Sequence, residues 1–254
     1  MGRVIAVVNQ KGGVGKSTTA VNLGAYLATS GKNVLLVDID PQGNATSGVG
    51  VEKGEVEKCM YSVLVEQVPM EEIVLPTAVT NYFVAPATIA LAGAEIELVP
   101  ALSREYRLKR ALEPLVGRYD YILIDSPPSL GLLTVNGLTA AHGVLVPIQC
   151  EYYALEGLSQ LMKTIEMVQT HLNPGLQVDG VVMTMYDART NLSQQVIADV
   201  KAFFGRRVKV YESVIPRNIR LSEAPSFGQP IVLYDDRSKG GQAYRALAEE
   251  VMSR

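Results

Sequence analysis

The chain has 254 residues, 48% of them hydrophobic and 19% charged, which is ample for one large core and sits at the upper edge of a single-domain length. A net charge of −3 argues against a wholly basic nucleic-acid binder, and no uncharged apolar run approaches the ~18 residues a membrane span needs. Two cysteines, Cys59 and Cys150, with no C-x-x-C spacing, point to neither a disulfide framework nor a metal site.

The apolar run Val4 to Val8 reads as a buried strand starting within three residues of Met1. That leaves no room for a cleavable signal, so the expected location is cytoplasmic. The stretch Asn9 to Thr19 follows, and Ala20 to Ala28 continues with helical spacing. Strand, glycine turn and helix are the context of a phosphate-binding loop. Gly12, Gly13 and Gly15 allow backbone N–H groups to turn inward around phosphate oxygens. The helix beginning near Lys16 adds the positive end of its dipole, Lys16 supplies a cation for the β and γ phosphates, and the Ser17 hydroxyl can ligate Mg²⁺. The candidate nucleotide-binding stretch is thus Lys11, Gly12, Gly13, Val14, Gly15, Lys16, Ser17 and Thr18. The pattern G-x-x-x-x-G-K-[ST] would require glycine at position 10, where this chain has Gln10, with an additional lysine at Lys11.

Val34 to Val37 reads as a second parallel strand, ending at Asp38 and Asp40, carboxylates on the edge where open α/β sheets bind ligands. Residues 45–76 are acidic and weakly periodic, with a short helix expected around Cys59 to Glu66, and are expected to be the more mobile part. Asn81 to Pro86 is a strand, and Ala87 to Leu98 a loop with a short helix. Ser103 to Leu115 places Leu108, Leu112 and Leu115 at helical spacing, with Arg104, Arg107, Lys109 and Arg110 on a solvated face. Tyr119 to Asp125 is a strand with a terminal carboxylate followed by Ser126-Pro127-Pro128, the form of a Walker B element in which Asp125 holds Mg²⁺ through water. Ser17, Asp40 and Asp125 form the candidate magnesium set.

Gly143 to Ile148 is a further strand, and Leu155 to His171 an amphipathic helix closed by Asn173-Pro174-Gly175. Val178 to Met185, Gln194 to Phe204, Val208 to Val214 and Gly241 to Met252 continue as strand, helix, strand and helix. The alternation implies an α/β, doubly wound, mostly parallel sheet, with residues 1–254 as a single domain. His142 and His171 read as structural. Residues 1–180 hold 12 Lys and Arg against 18 Asp and Glu, whereas 181–254 hold 11 against 8, so the last third can carry a basic face.

Lys11 to Thr19, Val37 to Thr46, Asp125 to Leu130, Glu151 to Gly157 and Val214 to Pro225 together resemble the ParA/MinD family of deviant Walker ATPases, most closely its ParA-type chromosomal partitioning members of the Soj group. The resemblance implies a P-loop NTPase architecture, an ATP hydrolase using ATP, ADP and Mg²⁺, and a homodimer in which Lys11 reaches the other subunit's nucleotide. It implies that Asp40, in a first switch, orients the attacking water, that Asp125, in a second, senses Mg²⁺, and that Pro216 and Asn218 touch adenine. Arg189, Arg217 and Arg220 match a basic surface for non-specific double-stranded DNA. Expected partners are a ParB/Spo0J-type centromere-binding protein and, as in some relatives, the replication initiator, with nucleoid association and no membrane.

The alternative is a MinD-type membrane-positioning ATPase, which should end in a basic amphipathic helix. The last residues instead carry Glu249 and Glu250 and little polybasic character. A redox ATPase like the nitrogenase iron protein would need cluster-binding cysteines beside the second switch, and Cys59 and Cys150 do not stand there.

Overall fold

The computed structural model describes residues 2–151, 157–205 and 208–253. Strand β1 (Arg3–Val7) leads through the glycine loop into helix α1 (Lys16–Thr29), and β2 (Val34–Asp38) follows. Short helices α2 (Asn44–Gly48) and α3 (Met60–Leu64) precede strands β3 (Leu75–Pro76) and β4 (Tyr82–Ala85). Helices α4 (Leu91–Glu97) and α5 (Arg107–Leu112) lead to β5 (Tyr121–Asp125) and α6 (Leu132–Ala140). Next come β6 (Gly143–Gln149), α7 (Leu158–His171), β7 (Gln177–Tyr186), α8 (Asn191–Phe204) and β8 (Val210–Pro216). Helices α9 (Ile219–Glu223), α10 (Ile231–Tyr234) and α11 (Lys239–Met252) complete the order.

These strands form one eight-stranded sheet in the order β3-β4-β2-β5-β1-β6-β7-β8, parallel except for the antiparallel β3–β4 pair at one edge. The central strands are continuously apolar because both sheet faces are covered. Alternation sends Val4, Ala6, Leu35, Val37, Ile122 and Ile124 to one face, under α3 to α8, and Ile5, Val7, Leu36 and Leu123 to the other, under α1 and α11. Val7 pairs with Asp125 and Asp125 with Asp38, so three neighbouring strands end level with one another. That shared C-terminal edge positions the site.

The expected doubly wound parallel sheet is what the chain forms. Residues 45–76, expected to be mobile, are anchored by Met60, Leu64, Met70 and Ile73, all 2% exposed or less. The short helix expected around Cys59 to Glu66 is present as α3 (Met60–Leu64). The helix expected over 103–115 divides into a tight turn at Arg104–Tyr106 and then α5. Buried Asn136 spans the division, its amide donating to the Arg104 carbonyl at 2.9 Å and its oxygen accepting the Leu108 N–H at 3.1 Å. The start expected for α7 at Leu155, and residues 152–156 of the motif from Glu151 to Gly157, lie outside the described residues. His142 is structural as expected, since its Nδ1 accepts the Val4 N–H at 3.0 Å.

Candidate nucleotide site

The loop between β1 and α1 is shaped by Gly13 at φ 74° and Gly15 at φ 88°, left-handed conformations that favour glycine. Its frame comes from distant strands. Asn9 donates to the Pro147 carbonyl at 2.7 Å and accepts the Lys11 N–H at 3.0 Å, while the Thr184 hydroxyl donates to the Val14 carbonyl at 2.8 Å. Lys16, the first residue of α1, folds back so that its Nζ donates to the Lys11 carbonyl at 3.2 Å. Burial lowers its affinity for a proton, and the charges of Asp125 and Asp40 oppose that fall.

Facing this loop are the carboxylates that end β2 and β5. Asp125 is wholly buried, and neither of its oxygens accepts a hydrogen bond among the described residues. Burial, then the charge of Asp38, pushes its carboxyl well above the ordinary range, while Ser17 and Lys16 pull it back. An orphaned buried carboxylate is costly unless something binds it, and beside a serine hydroxyl and a lysine it fits a hydrated divalent cation. Among the described residues no three His, Cys, Asp or Glu side chains gather into a metal cluster. Mg²⁺ fits such a place because it keeps several waters and takes phosphate oxygens as ligands.

Asp38 is equally buried, and burial raises its carboxyl to about 6 against hydrogen bonds from Thr46 and from the Asp40 amide. Asp40, 5% exposed, lines the cleft and accepts the Gln42 N–H at 2.9 Å.

A cleft of about 530 Å³ runs over Gly12, Gly13, Gly15, Lys16, Ser17 and Thr18, with Pro128 on its far wall. It adjoins a second, of about 320 Å³, bounded by Thr184, Met185, Pro216, Asn218, Leu221 and Tyr244. Among the described residues the Asn218 Oδ1 is buried without a hydrogen-bond partner, an acceptor suited to the exocyclic amine of a purine base. The structure thus brings Pro216 and Asn218 to the loop from a distance of 200 residues. Sequence reasoning missed Thr184, Met185 and Tyr244. Thr184 and Tyr244 had no signal beyond lying on expected elements, and the positive φ of Met185, 52°, leaves no mark on residue type.

Lys11 is not among the residues lining the cleft of its own chain. Its Nζ lies 3.5 Å from Glu151 and the side chain is 41% exposed. Arg189, Arg217 and Arg220 follow the C-terminal ends of β7 and β8, on the same sheet edge as the cleft. Each meets a carboxylate there. Arg189 forks onto Asp187 at 2.7 and 2.9 Å, holding that carboxyl down to about 2. Arg217 lies 3.7 Å from Glu151, and Arg220 lies 3.0 Å from Glu223 and 3.5 Å from Asp235. Cys59 and Cys150 are buried and free, and burial pushes the Cys150 thiol up to about 11. No helix of the described residues is long and apolar enough to cross a membrane.

Comparison with known proteins matches residues 2–178 to a family described as an AAA domain. The sporulation initiation inhibitor protein Soj of Bacillus subtilis (strain 168) is 64% identical over 251 residues, covering 99% of this chain and 98% of its own. The chromosome partitioning protein ParA of Myxococcus xanthus (strain DK1622) is 53% identical over 254 residues, covering 100% of this chain and 89% of its own. Among solved structures, cobyrinic acid a,c-diamide synthase from Mycobacterium smegmatis with bound ADP and magnesium superposes with a TM-score of 0.87 at 42% identity, covering 99% of this chain and 94% of its own.

Proposed function

Because the chain belongs to the ParA/Soj family of chromosome-partitioning ATPases, we propose that residues 1–254 act as one ATPase domain that hydrolyses MgATP between two identical subunits and holds DNA only in that paired state. The observation that carries this reading is the division of labour between two lysines. Lys16 is buried in the cleft, while Lys11 stands outside it, half-exposed on the same edge. A cation placed there is available to a second molecule.

In this reading the amides of Gly12 to Ser17 cradle the phosphates and Lys16 neutralises them. Ser17, Asp40 and Asp125 are the side chains that would hold the metal. Mg²⁺, when bound, supplies charge neutralisation on the phosphate oxygens. Asp40 orients the attacking water, Pro216 and Asn218 take the adenine, and Lys11 crosses to the other subunit's phosphates. Arg189, Arg217 and Arg220 of two subunits together form a surface for the phosphodiester backbone, contacted without base readout. Doubling the number of neutralised phosphates raises affinity steeply, so the γ-phosphate acts as a DNA-binding switch. A ParB-type centromere-binding partner accelerates hydrolysis and release. Nucleoid association follows from DNA binding, a role in sporulation control is carried over from the Bacillus subtilis relative named for it, and one in replication-initiation control rests on the family resemblance alone.

The test is a duplex titration with ATP, ADP and no nucleotide at two salt concentrations. Tight binding is expected with ATP alone and falls steeply with salt. Equal affinity with an empty site would overturn the switch, and ATP-dependent flotation with anionic vesicles in place of DNA binding would favour the membrane-positioning alternative.

A further inference from the structure

Behind the cleft lies a buried polar cluster for which the reading above has no use. Asp38 ends β2 with no exposed surface. Its Oδ1 accepts the Asp40 N–H at 3.1 Å, and its Oδ2 accepts both the Thr46 N–H at 2.8 Å and the Thr46 hydroxyl at 2.7 Å. With its proton given to Asp38, the Thr46 oxygen is left to accept the Ala87 N–H at 2.9 Å, just past the end of β4. Thr46, on α2, is also wholly buried. The same strand exit receives α3, whose Met60 N–H donates to the Pro86 carbonyl at 2.9 Å.

These bonds bracket the loop that carries Asp40. One carboxylate holds the Asp40 amide and the helix that receives the loop, and the Thr46 hydroxyl fastens that helix to the end of β4. An apolar pair of similar shape would fill the space at less desolvation cost. What it would lack is direction, and a functional group is held to productive geometry by the bonds of the residues behind it. Neither Asp38 nor Thr46 lines either part of the nucleotide cleft, so neither side chain meets the nucleotide itself.

We propose that Asp38 and Thr46 are positioning residues for hydrolysis, setting the backbone at Asp40 so that its carboxylate meets the attacking water. The proposal rests on the reading of Asp40 as the water-orienting group. Thr46→Val keeps the shape and removes the hydroxyl. It should lower kcat about tenfold, the scale of one hydrogen bond to a charged group, with the affinity for MgATP within about twofold of the wild type. Thr46→Ser, which restores the hydroxyl, should recover most of the rate. Asp38→Asn, which puts an amide donor among three donors, should lose turnover in the same way, and serves if the valine variant fails to fold by thermal melting.

Asp40→Ala, measured in parallel, separates the two layers. If it abolishes turnover while Thr46→Val hydrolyses at the wild-type rate, the positioning role is wrong and the Asp40 reading stands. If Asp40→Ala hydrolyses normally, both fall. Loss of nucleotide affinity in step with kcat, or no recovery with serine, would mark the cluster as merely structural and also overturn the proposal. Adding Thr46→Val to Asp40→Ala should produce no further loss, because both act through one group.

Discussion

Lys16 shows how a single side chain depends on its neighbours. The residue is only 6% exposed; the Lys11 carbonyl accepts a hydrogen bond from its ammonium, and the charges of Asp125 and Asp40 offset part of the desolvation. Arriving phosphates would meet a cation already desolvated and aimed, which strengthens each contact. Truncating one member of a buried charge pair costs about 2–5 kcal/mol. Lys16→Ala is therefore expected to weaken ATP binding on the order of 100-fold in a fluorescent-nucleotide titration, and to abolish ATP-dependent DNA binding with it. Retained nucleotide-dependent DNA binding would show that the loop has been assigned the wrong task. The loop glycines, Lys16 and Ser17 were legible because phosphate recognition constrains residue type at fixed spacing. The unpartnered state of Asp125 was not, since it depends on what the folded chain leaves opposite that carboxylate.

At the scale of elements, α1 shows tertiary packing overriding local preference. Gly24 lies in the middle of this 14-residue helix, where alanine would ordinarily be the better helix former. A Cβ there would come within 2.5–2.7 Å of the Tyr82 ring and hydroxyl, and Tyr82 is itself buried with its hydroxyl donating to the Val21 carbonyl at 3.1 Å. The close approach of α1 to β4 requires the missing side chain. Gly24→Ala should therefore destabilise the fold by about 1–3 kcal/mol, read as a lower urea midpoint with an unchanged slope. A midpoint at or above that of the wild type would mean that Tyr82 moves aside freely. Strands and long helices were readable from their period, whereas β3, α9 and α10, of two to five residues, span too little chain to show one.

For the whole molecule the decisive question is what Lys11 does beyond its own chain. Its contact with Glu151 is long, at 3.5 Å, and solvent-screened, with the partners 41% and 45% exposed, so it adds little to stability. Lys11→Ala should melt within a degree or two of the wild type and still bind ATP as a monomer. It should fail to form the ATP-dependent dimer in light scattering and should lose DNA binding. A variant that dimerises normally with ATP would remove the basis for the paired-subunit reading.

Residue order alone determined the phosphate loop, the buried strands that lead to it and the alternation that makes a parallel sheet, because each is a local pattern of spacing and polarity. Its resemblance to known ATPases extended that reading to Asp40, Pro216 and Asn218. Only the folded chain decided that β1, β2 and β5 end level, that Asn218 reaches the loop across the sheet edge, that Lys11 stands outside its own cleft, and that Asp38 and Thr46 stand behind Asp40. Those are relations between segments far apart in the chain, and they arise when strands fall into register and both faces of the sheet are covered.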